Sequence, residues 1–466
     1  MAEYQFDLLV IGSGPAGHHA AIQGAKIRKR VALVERNFAV GGVCINVGTI
    51  PSKTMRESVL YLSGYREHSI YGASYRVKEK ITLQDLLFRV EPVVRHEIDV
   101  TRHQLSRNGV ELVVGAATFV DQHTVRVSLP DGQTHRMITA DKFVVAVGTE
   151  PTIDPKLPMD GSTVFSSDDI LKVDQLPSSL TVIGGGVIGC EYASMFAALG
   201  VRVTLVDMRP KLLPFVDDEI VQALAYHMRE NRVTLRLGEK VDRVEVVEDN
   251  GAKRVRITLV SGKQITSDKA LCSTGRFGAV KYLDLPAAGV TTDDRGRIKV
   301  NEFYQTEAAN IYAAGDVIGF PSLASTSMEQ GRLAVCHAYG VSATWAPELF
   351  PYGIYTIPEI SFVGRNESEL TDEGIPYEIG KAQYREIARG QIVGDDIGMM
   401  KLIFHRETRD LLGVHIIGEG AAELIHIGQA ALSLGGKIDY FINTVFNYPT
   451  LAECYKIAAF DGVNRL

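Results

Sequence analysis

The chain has 466 residues, 45% of them apolar, and its 49 basic and 56 acidic side chains leave a net charge of -7. At roughly 150 residues per domain this length holds about three well-cored domains. The acidic balance, with no basic run or aromatic-basic stripe, excludes a surface built for nucleic acid, and no apolar run approaches the roughly 18 residues that span a bilayer.

The first 36 residues read as strand, glycine turn, helix and strand: "FDLLVIG", then "GSGPAG", then "RVALVER". Gly12, Gly14 and Gly17 form G-x-G-x-x-G, where missing side chains let backbone approach a pyrophosphate at a helix N-terminus. Glu35 closes the second strand, placed to accept hydrogen bonds from an adenosine ribose. The opening segment passes directly into this strand rather than reading as a signal peptide, so a cytoplasmic protein is expected. His18 and His19, at the start of the first helix, are expected to face solvent.

Residues 51–105 show amphipathic helical stretches, and 110–149 show short alternating strands ending in "KFVVAVGT". A second strand, turn, helix and strand runs from Leu180 to Asp207, with Gly184, Gly186 and Gly189 repeating the glycine spacing and Asp207 ending the strand as Glu35 does. Another apolar run, "NIYAAGD", ends at Asp316. From about Pro347 the pattern mixes strands ("KLIF", "LLGVHIIG") with helices ("AAELIHIGQAALSL"), as in a separate α+β domain. Five scattered cysteines do not form a secreted disulfide framework. The twelve histidines show no ligand spacing, so no metal is expected.

Two complete dinucleotide fingerprints in one chain predict an α/β fold with two Rossmann-like domains. They also predict an oxidoreductase in which electrons pass between two bound dinucleotides. "GGVCINVGTIPSK" (41–53), "AVGTEP" (146–151), "GGGVIGCEYA" (184–193) and "IYAAGDV" (311–317) resemble the FAD-dependent pyridine nucleotide disulfide oxidoreductases, across essentially the whole chain. The resemblance implies an FAD-binding domain at 1–150, an NAD(P)-binding domain at 151–275, a central region at 276–345 that completes the FAD site, and a dimerisation domain at 346–466. It further implies a homodimer or larger homo-oligomer acting on nicotinamide dinucleotides, NAD(H) and NADP(H). By position it assigns Gly12, Gly14, Gly17, Glu35, Gly42, Cys44, Lys53, Ala116, Gly148, Asp316 and Ala324 to FAD. Gly184, Gly186, Gly189, Asp207, Arg209 and Gly275 are assigned to NAD(P). Lys53 and Glu191 become the catalytic pair: a lysine beside the flavin stabilises negative charge developing on the reduced ring, and a carboxylate keeps that lysine charged.

The chain departs from the family's dithiol members at two points. Where they carry C-x-x-x-x-C, Thr49 follows Cys44, and where their C-terminal histidine acts on the thiols, "NYPTLAE" has Tyr448, with Pro449, Thr450 and Glu453 retained. A phenol near pKa 10 cannot replace an imidazole near about 6.5. Both changes predict that no dithiol is reduced and that electrons leave from the flavin itself; resemblance to family members that lack the second cysteine and read "GTIPSK" and "FNYPT" implies hydride exchange between NADPH and NAD+ through FAD. The alternatives are a diaphorase or quinone reductase, a single-cysteine peroxide or oxygen reductase, and a flavin redox sensor without turnover. Asp207 alone favours NAD, since it repels a 2'-phosphate. Arg209 and Lys211 are expected to offset that repulsion if Asp207 turns away. Cys44 is expected to fill space beside the flavin, its sharper readings being a flavin-stacked thiolate or a sulfenic-acid cycle. Cys454 is expected to pack within a helix rather than bridge to Cys44 across a dimer.

Overall fold

The computed structural model describes residues 4–72, 74–152, 157–249, 251–343 and 349–466. The expected start of the last domain near Pro347 lies outside the described residues. The chain forms two compact units, each discontinuous in sequence: Met1–Met55, Leu87–Ile153 and Gly275–Trp345 in one, and Arg56–Leu86, Asp154–Thr274 and Ala346–Leu466 in the other. Among the described residues no helix is long and apolar enough to cross a membrane.

In the first unit, strands Glu111–Val114, Val31–Glu35, Phe6–Ile11 and His135–Val145 lie side by side and parallel, and Ile311–Ala313 joins His135–Val145 on its far side. Leu8, Leu9 and Val10 are all fully buried, as a parallel strand covered on both faces requires. Val31–Glu35 is buried along its whole length for the same reason. Ala116–Asp121 and Thr124–Ser128 add an antiparallel meander leading into His135–Val145. The first helix, Pro15–Lys26, has proline in its first turn, where the missing N–H has no helical partner to lose. It packs against the Ala324–Ala338 helix at Gly331, where a Cβ would stand 2.1 Å from the Ala16 carbonyl oxygen. Glycine is what permits that crossing.

The second unit repeats this plan. Thr234–Leu237, Arg202–Asp207, Ser179–Ile183, Lys269–Cys272 and Val164–Ser166 form a parallel sheet in that order. A three-stranded antiparallel sheet, Val241–Asp249, Ala252–Leu259 and Gln264–Ser267, precedes Lys269–Cys272, as the meander precedes the equivalent strand in the first unit. The C-terminal part of the unit is a five-stranded antiparallel sheet with helices Ala421–Ser433 and Glu453–Val463 on it. "KLIF" lies in its strand Met399–His405 and "LLGVHIIG" in Leu411–Ile417.

Candidate functional site

The first fingerprint folds as its glycines dictate. Gly12 has a φ of 102°, and a Cβ there would meet the Ala146 carbonyl oxygen at 2.4 Å. A Cβ on Gly17 would stand 1.8 Å from the Gly12 carbonyl oxygen, so this glycine sets the approach of helix to strand. Gly14 has different surroundings: within 4 Å of a Cβ lies only the Gly42 Cα, at 3.9 Å. That clear backbone opens the helix N-terminus to a ligand phosphate. Glu35 is buried, and its Oε2 accepts from the Ser13 amide at 3.0 Å and the Ser13 hydroxyl at 2.5 Å, while Oε1 accepts from the Asn37 amide at 2.9 Å. Ser13 Oγ in turn accepts from the Gly41 amide at 2.9 Å, tying the acid to the glycine-rich segment that bears Cys44.

Cys44 lies in the short helix Gly42–Asn46, and Thr49 begins the helix Thr49–Ser63. The thiol is half-buried, and burial raises its pKa above the ordinary value. A hydrogen bond from the Thr49 side chain and the charge of Lys53 act against that rise, and Asp316 and Glu97 reinforce it. Lys53 and Asp316 therefore each lie within electrostatic reach of Cys44. Burial also raises the Asp316 carboxyl, with Arg276 opposing. Arg276 is fixed by the Thr149 hydroxyl and carbonyl, both at 2.9 Å. Gly315, before Asp316, has a φ of 82° and stands against Ala16, so the Gly-Asp motif adjoins the first turn of the Pro15–Lys26 helix. Gly148 borders open space, Ala116 is exposed, and Ala324 begins its helix half-buried.

The second fingerprint reproduces the first. Gly184 has a φ of 110° and would clash with the Ser273 carbonyl oxygen at 2.4 Å, Gly189 would meet the Gly184 carbonyl oxygen at 1.8 Å, and Gly186 has nothing within 4 Å. Asp207 does not turn away. Its Oδ2 accepts from the Gly185 amide at 2.5 Å and from Arg209 Nη2 at 2.6 Å, and its Oδ1 accepts from Arg209 N at 2.7 Å and Nε at 2.9 Å. Against the upward push of burial, these contacts hold the Asp207 carboxyl below its ordinary value. Lys211 is engaged elsewhere, with Asp218 at 2.7 Å.

The description "Pyridine nucleotide-disulphide oxidoreductase" matches residues 6–331, and the dimerisation domain of the same name matches residues 350–459. The chain belongs to the pyridine nucleotide-disulphide oxidoreductase family. It is 52% identical over 462 residues to the soluble pyridine nucleotide transhydrogenase of Mycobacterium bovis (strain BCG / Pasteur 1173P2), covering 99% of this chain and 98% of that one. It is 44% identical to the protein of that name from Pseudomonas aeruginosa, with 100% of each chain covered. Among solved structures it is similar to the HOCl-induced flavoprotein disulfide reductase RclA of Escherichia coli, with a TM-score of 0.87, 26% identity, and 97% of this chain and 99% of that one covered. LpdA of Mycobacterium tuberculosis gives a TM-score of 0.89 at the same identity and coverage.

Other residues of this family member now have places. Glu191 is buried on the Val187–Ala198 helix, and its Oε1 accepts from the Tyr355 amide at 2.9 Å. One turn on, Ser194 Oγ accepts from the Ile357 amide at 3.0 Å, and Arg56 Nε donates to the intervening Thr356 carbonyl at 3.1 Å. Lys53 is half-buried and belongs to the first unit, Glu191 to the second. Gly275 takes a φ of 130°, and its carbonyl accepts from the Thr152 amide at 3.1 Å. Tyr448 is 73% exposed, and Glu453 Oε2 is buried without a hydrogen-bond partner among the described residues. All five cysteines are free, and Cys454 is fully buried with its thiol pushed up to about 12 by burial and by Glu453.

Two features escape the sequence reading. Lys401 is fully buried with its ammonium among Asp217, at 3.0 Å from both oxygens, Glu219 at 3.3 Å, and Glu367. No local motif joins residues so far apart in the chain. The expectation that His18 and His19 face solvent is corrected: both are half-buried, because the Leu83–Arg107 and Ala324–Ala338 helices bring Gln104, Arg107 and Arg332 to that side of the first helix.

Proposed function

We propose that the chain is a soluble pyridine nucleotide transhydrogenase that moves hydride between NADPH and NAD+ through FAD, as a cytoplasmic homodimer. The observation that carries this reading is the Cys44 turn. Its thiol meets the Thr49 side chain, so the turn holds no second sulfur to accept electrons, and Tyr448 occupies the place of the base that a dithiol needs. The names of the full-length relatives support the same reading.

In this proposal the 1–150 and 276–345 segments form the FAD site, 151–275 the NAD(P) site, and 346–466 the dimerisation domain. The clear backbone at Gly14, the open space at Gly148 and the Asp316 carboxyl within reach of Cys44 fit an extended dinucleotide. Bound there, FAD supplies a two-electron relay between a reduced and an oxidised nicotinamide nucleotide. Gly12, Gly14 and Gly17 shape the pyrophosphate seat, Glu35 accepts from the ribose, and Asp316, with Ala116 and Ala324, completes the cradle. Lys53 places positive charge beside the reacting ring, and Glu191 is the acid of the catalytic pair. Gly184, Gly186, Gly189 and Gly275 seat the nicotinamide nucleotide, with Asp207 and Arg209 at its adenosine ribose. Anaerobic stopped-flow mixing with NADPH, then NAD+, tests the reading: flavin absorbance is expected to bleach and then return. A flavin that stays reduced in NAD+ but is reoxidised by a quinone or peroxide overturns it.

A further inference from the structure

The side of the Pro15–Lys26 helix away from its glycine turn takes no part in holding a dinucleotide, but it lines a cleft of about 300 Å³. Three helices contribute cations to it: Lys26 from this helix, Arg107 from the end of Leu83–Arg107, and Arg332 from Ala324–Ala338. Arg332 is paired with Glu329 one turn earlier, its Nε at 2.8 Å from Oε2. Lys26 and Arg107 form no ion pair among the described residues. The cleft therefore carries an excess of two positive charges. His18 and His19 also line it, in edge contact with ring centroids 5.5 Å apart, and His18 Nε2 is buried with no hydrogen-bond partner among the described residues. A buried ring nitrogen without a partner, on a residue lining the same cleft as two unpaired cations, is an incomplete arrangement that an oxyanion completes.

We propose that this cleft is a binding site for a small phosphate-class dianion, either inorganic phosphate or the phosphoryl end of a phosphate monoester, held by Arg107, Lys26 and His18. Its volume lies at the bottom of the range for ligand pockets, roughly 300 to 1,000 Å³, which suits a small ligand and not a second dinucleotide. Donors from two helices, Arg107 on one and Lys26 with His18 on the other, match a tetrahedral oxyanion better than a planar carboxylate, whose two oxygens need only one fork. The histidines tune the site. Burial and His19 lower the His18 pKa to about 4, so its ring is neutral when the cleft is empty, and His19 is lowered by burial and Lys26 with Glu329 opposing. A dianion facing Lys26, Arg107, Arg332 and Glu329 cancels the local excess and favours His18 in its charged form. Binding therefore takes up a proton and tightens as pH falls.

The test is calorimetric titration of sulfate, inorganic phosphate and glycerol phosphate into the flavin-loaded protein carrying Arg209→Gln and saturated with NAD+, so that neither the 2'-phosphate position nor the glycine turn of the nucleotide pocket is open to the anion. Sulfate stays dianionic throughout, so its pH dependence reports the protein. One saturable site per chain is expected, with sulfate binding roughly tenfold tighter at about pH 5.5 than at about pH 8. Arg107→Gln is expected to weaken binding by roughly tenfold or more while leaving flavin content and folding intact, and Lys26→Gln serves as the second variant. Tighter binding of glycerol phosphate than of inorganic phosphate identifies a monoester as the ligand, and the reverse order identifies free phosphate. Absence of saturable binding, binding indifferent to both substitutions, or affinity that is flat with pH overturns the proposal.

Discussion

Replacing Arg209 with glutamine separates the two nicotinamide nucleotides. A 2'-phosphate about 4 Å from the Asp207 carboxylate meets a repulsion of roughly 4 kcal/mol at an effective dielectric near 20. Arg209 contacts both carboxylate oxygens, at 2.9 and 2.6 Å, so it cancels most of that repulsion before any ligand arrives. The guanidinium is 41% exposed, and solvent screening reduces its effect to roughly 1–2 kcal/mol, or about five- to thirtyfold in affinity. Arg209→Gln is therefore expected to lower kcat/KM for NADPH by that factor and to leave NADH almost unchanged, because Asp207 keeps its amide contacts and its access to ribose hydroxyls. Steady-state reduction of thio-NAD+ by each donor reads the difference directly. Raising the ionic strength should weaken NADPH binding in the unsubstituted protein more than in the variant, since salt screens the Arg209–phosphate attraction. Equal losses for NADH and NADPH, or an NADPH affinity indifferent to salt, would refute the reasoning.

Three further outcomes are expected. Cys44→Ala should retain transhydrogenation, and alkylation of Cys44 should still accelerate as pH passes the thiol's ordinary value of 9.0, because burial raises its pKa and keeps it protonated at neutral pH; a rate already level at neutral pH would contradict this. Glu191→Gln preserves an acceptor for the Tyr355 amide while removing charge, so reduction by NADPH should slow by about tenfold with unfolding unchanged, as stopped-flow and urea titration would show. Lys401→Met strands the buried Asp217 carboxylate and should cost about 3–5 kcal/mol in urea unfolding near neutral pH. The folded-state pKa of Asp217 lies below the ordinary 3.8, so its stabilisation is complete above that value and fades as pH falls below it; the penalty of the substitution should shrink in acid.

The fingerprints were legible because they are local. Gly12 and Gly184 need positive φ, Gly17 and Gly189 need missing side chains against the carbonyl of that first glycine, and those demands fall within six residues of sequence. The paired units were legible for the same reason, but the three-stranded sheet spanning Val241–Ser267 was not, since its alternation of charged and apolar residues marks a half-exposed meander without fixing its partner strands. Lys401 was invisible because its partners come from residues 217, 219 and 367. The half-burial of His18 and His19 was not legible because the helices that reach that side of the first helix come from residues 83–107 and 324–338. Periodicity reports that a helix is amphipathic and does not count the elements packed on it.

The repeated geometry also isolates what distinguishes the two dinucleotide sites. Each strand ends in an acid whose carboxylate accepts the backbone amide two residues later: Asn37 to Glu35 at 2.9 Å, Arg209 to Asp207 at 2.7 Å. Each acid also takes the amide of the residue following the first glycine, Ser13 in one case and Gly185 in the other. The backbone is thus the same device used twice, and the difference lies in the side chains on it. At the first fingerprint Ser13 and Asn37 bring no cation to Glu35. At the second site Gly185 leaves room, and Arg209 lies in bidentate contact with the acid, so the same carboxylate is neutralised without being moved. The two fingerprints therefore differ in the side chain two positions past the acid, Asn37 in one and Arg209 in the other, on a backbone that both share.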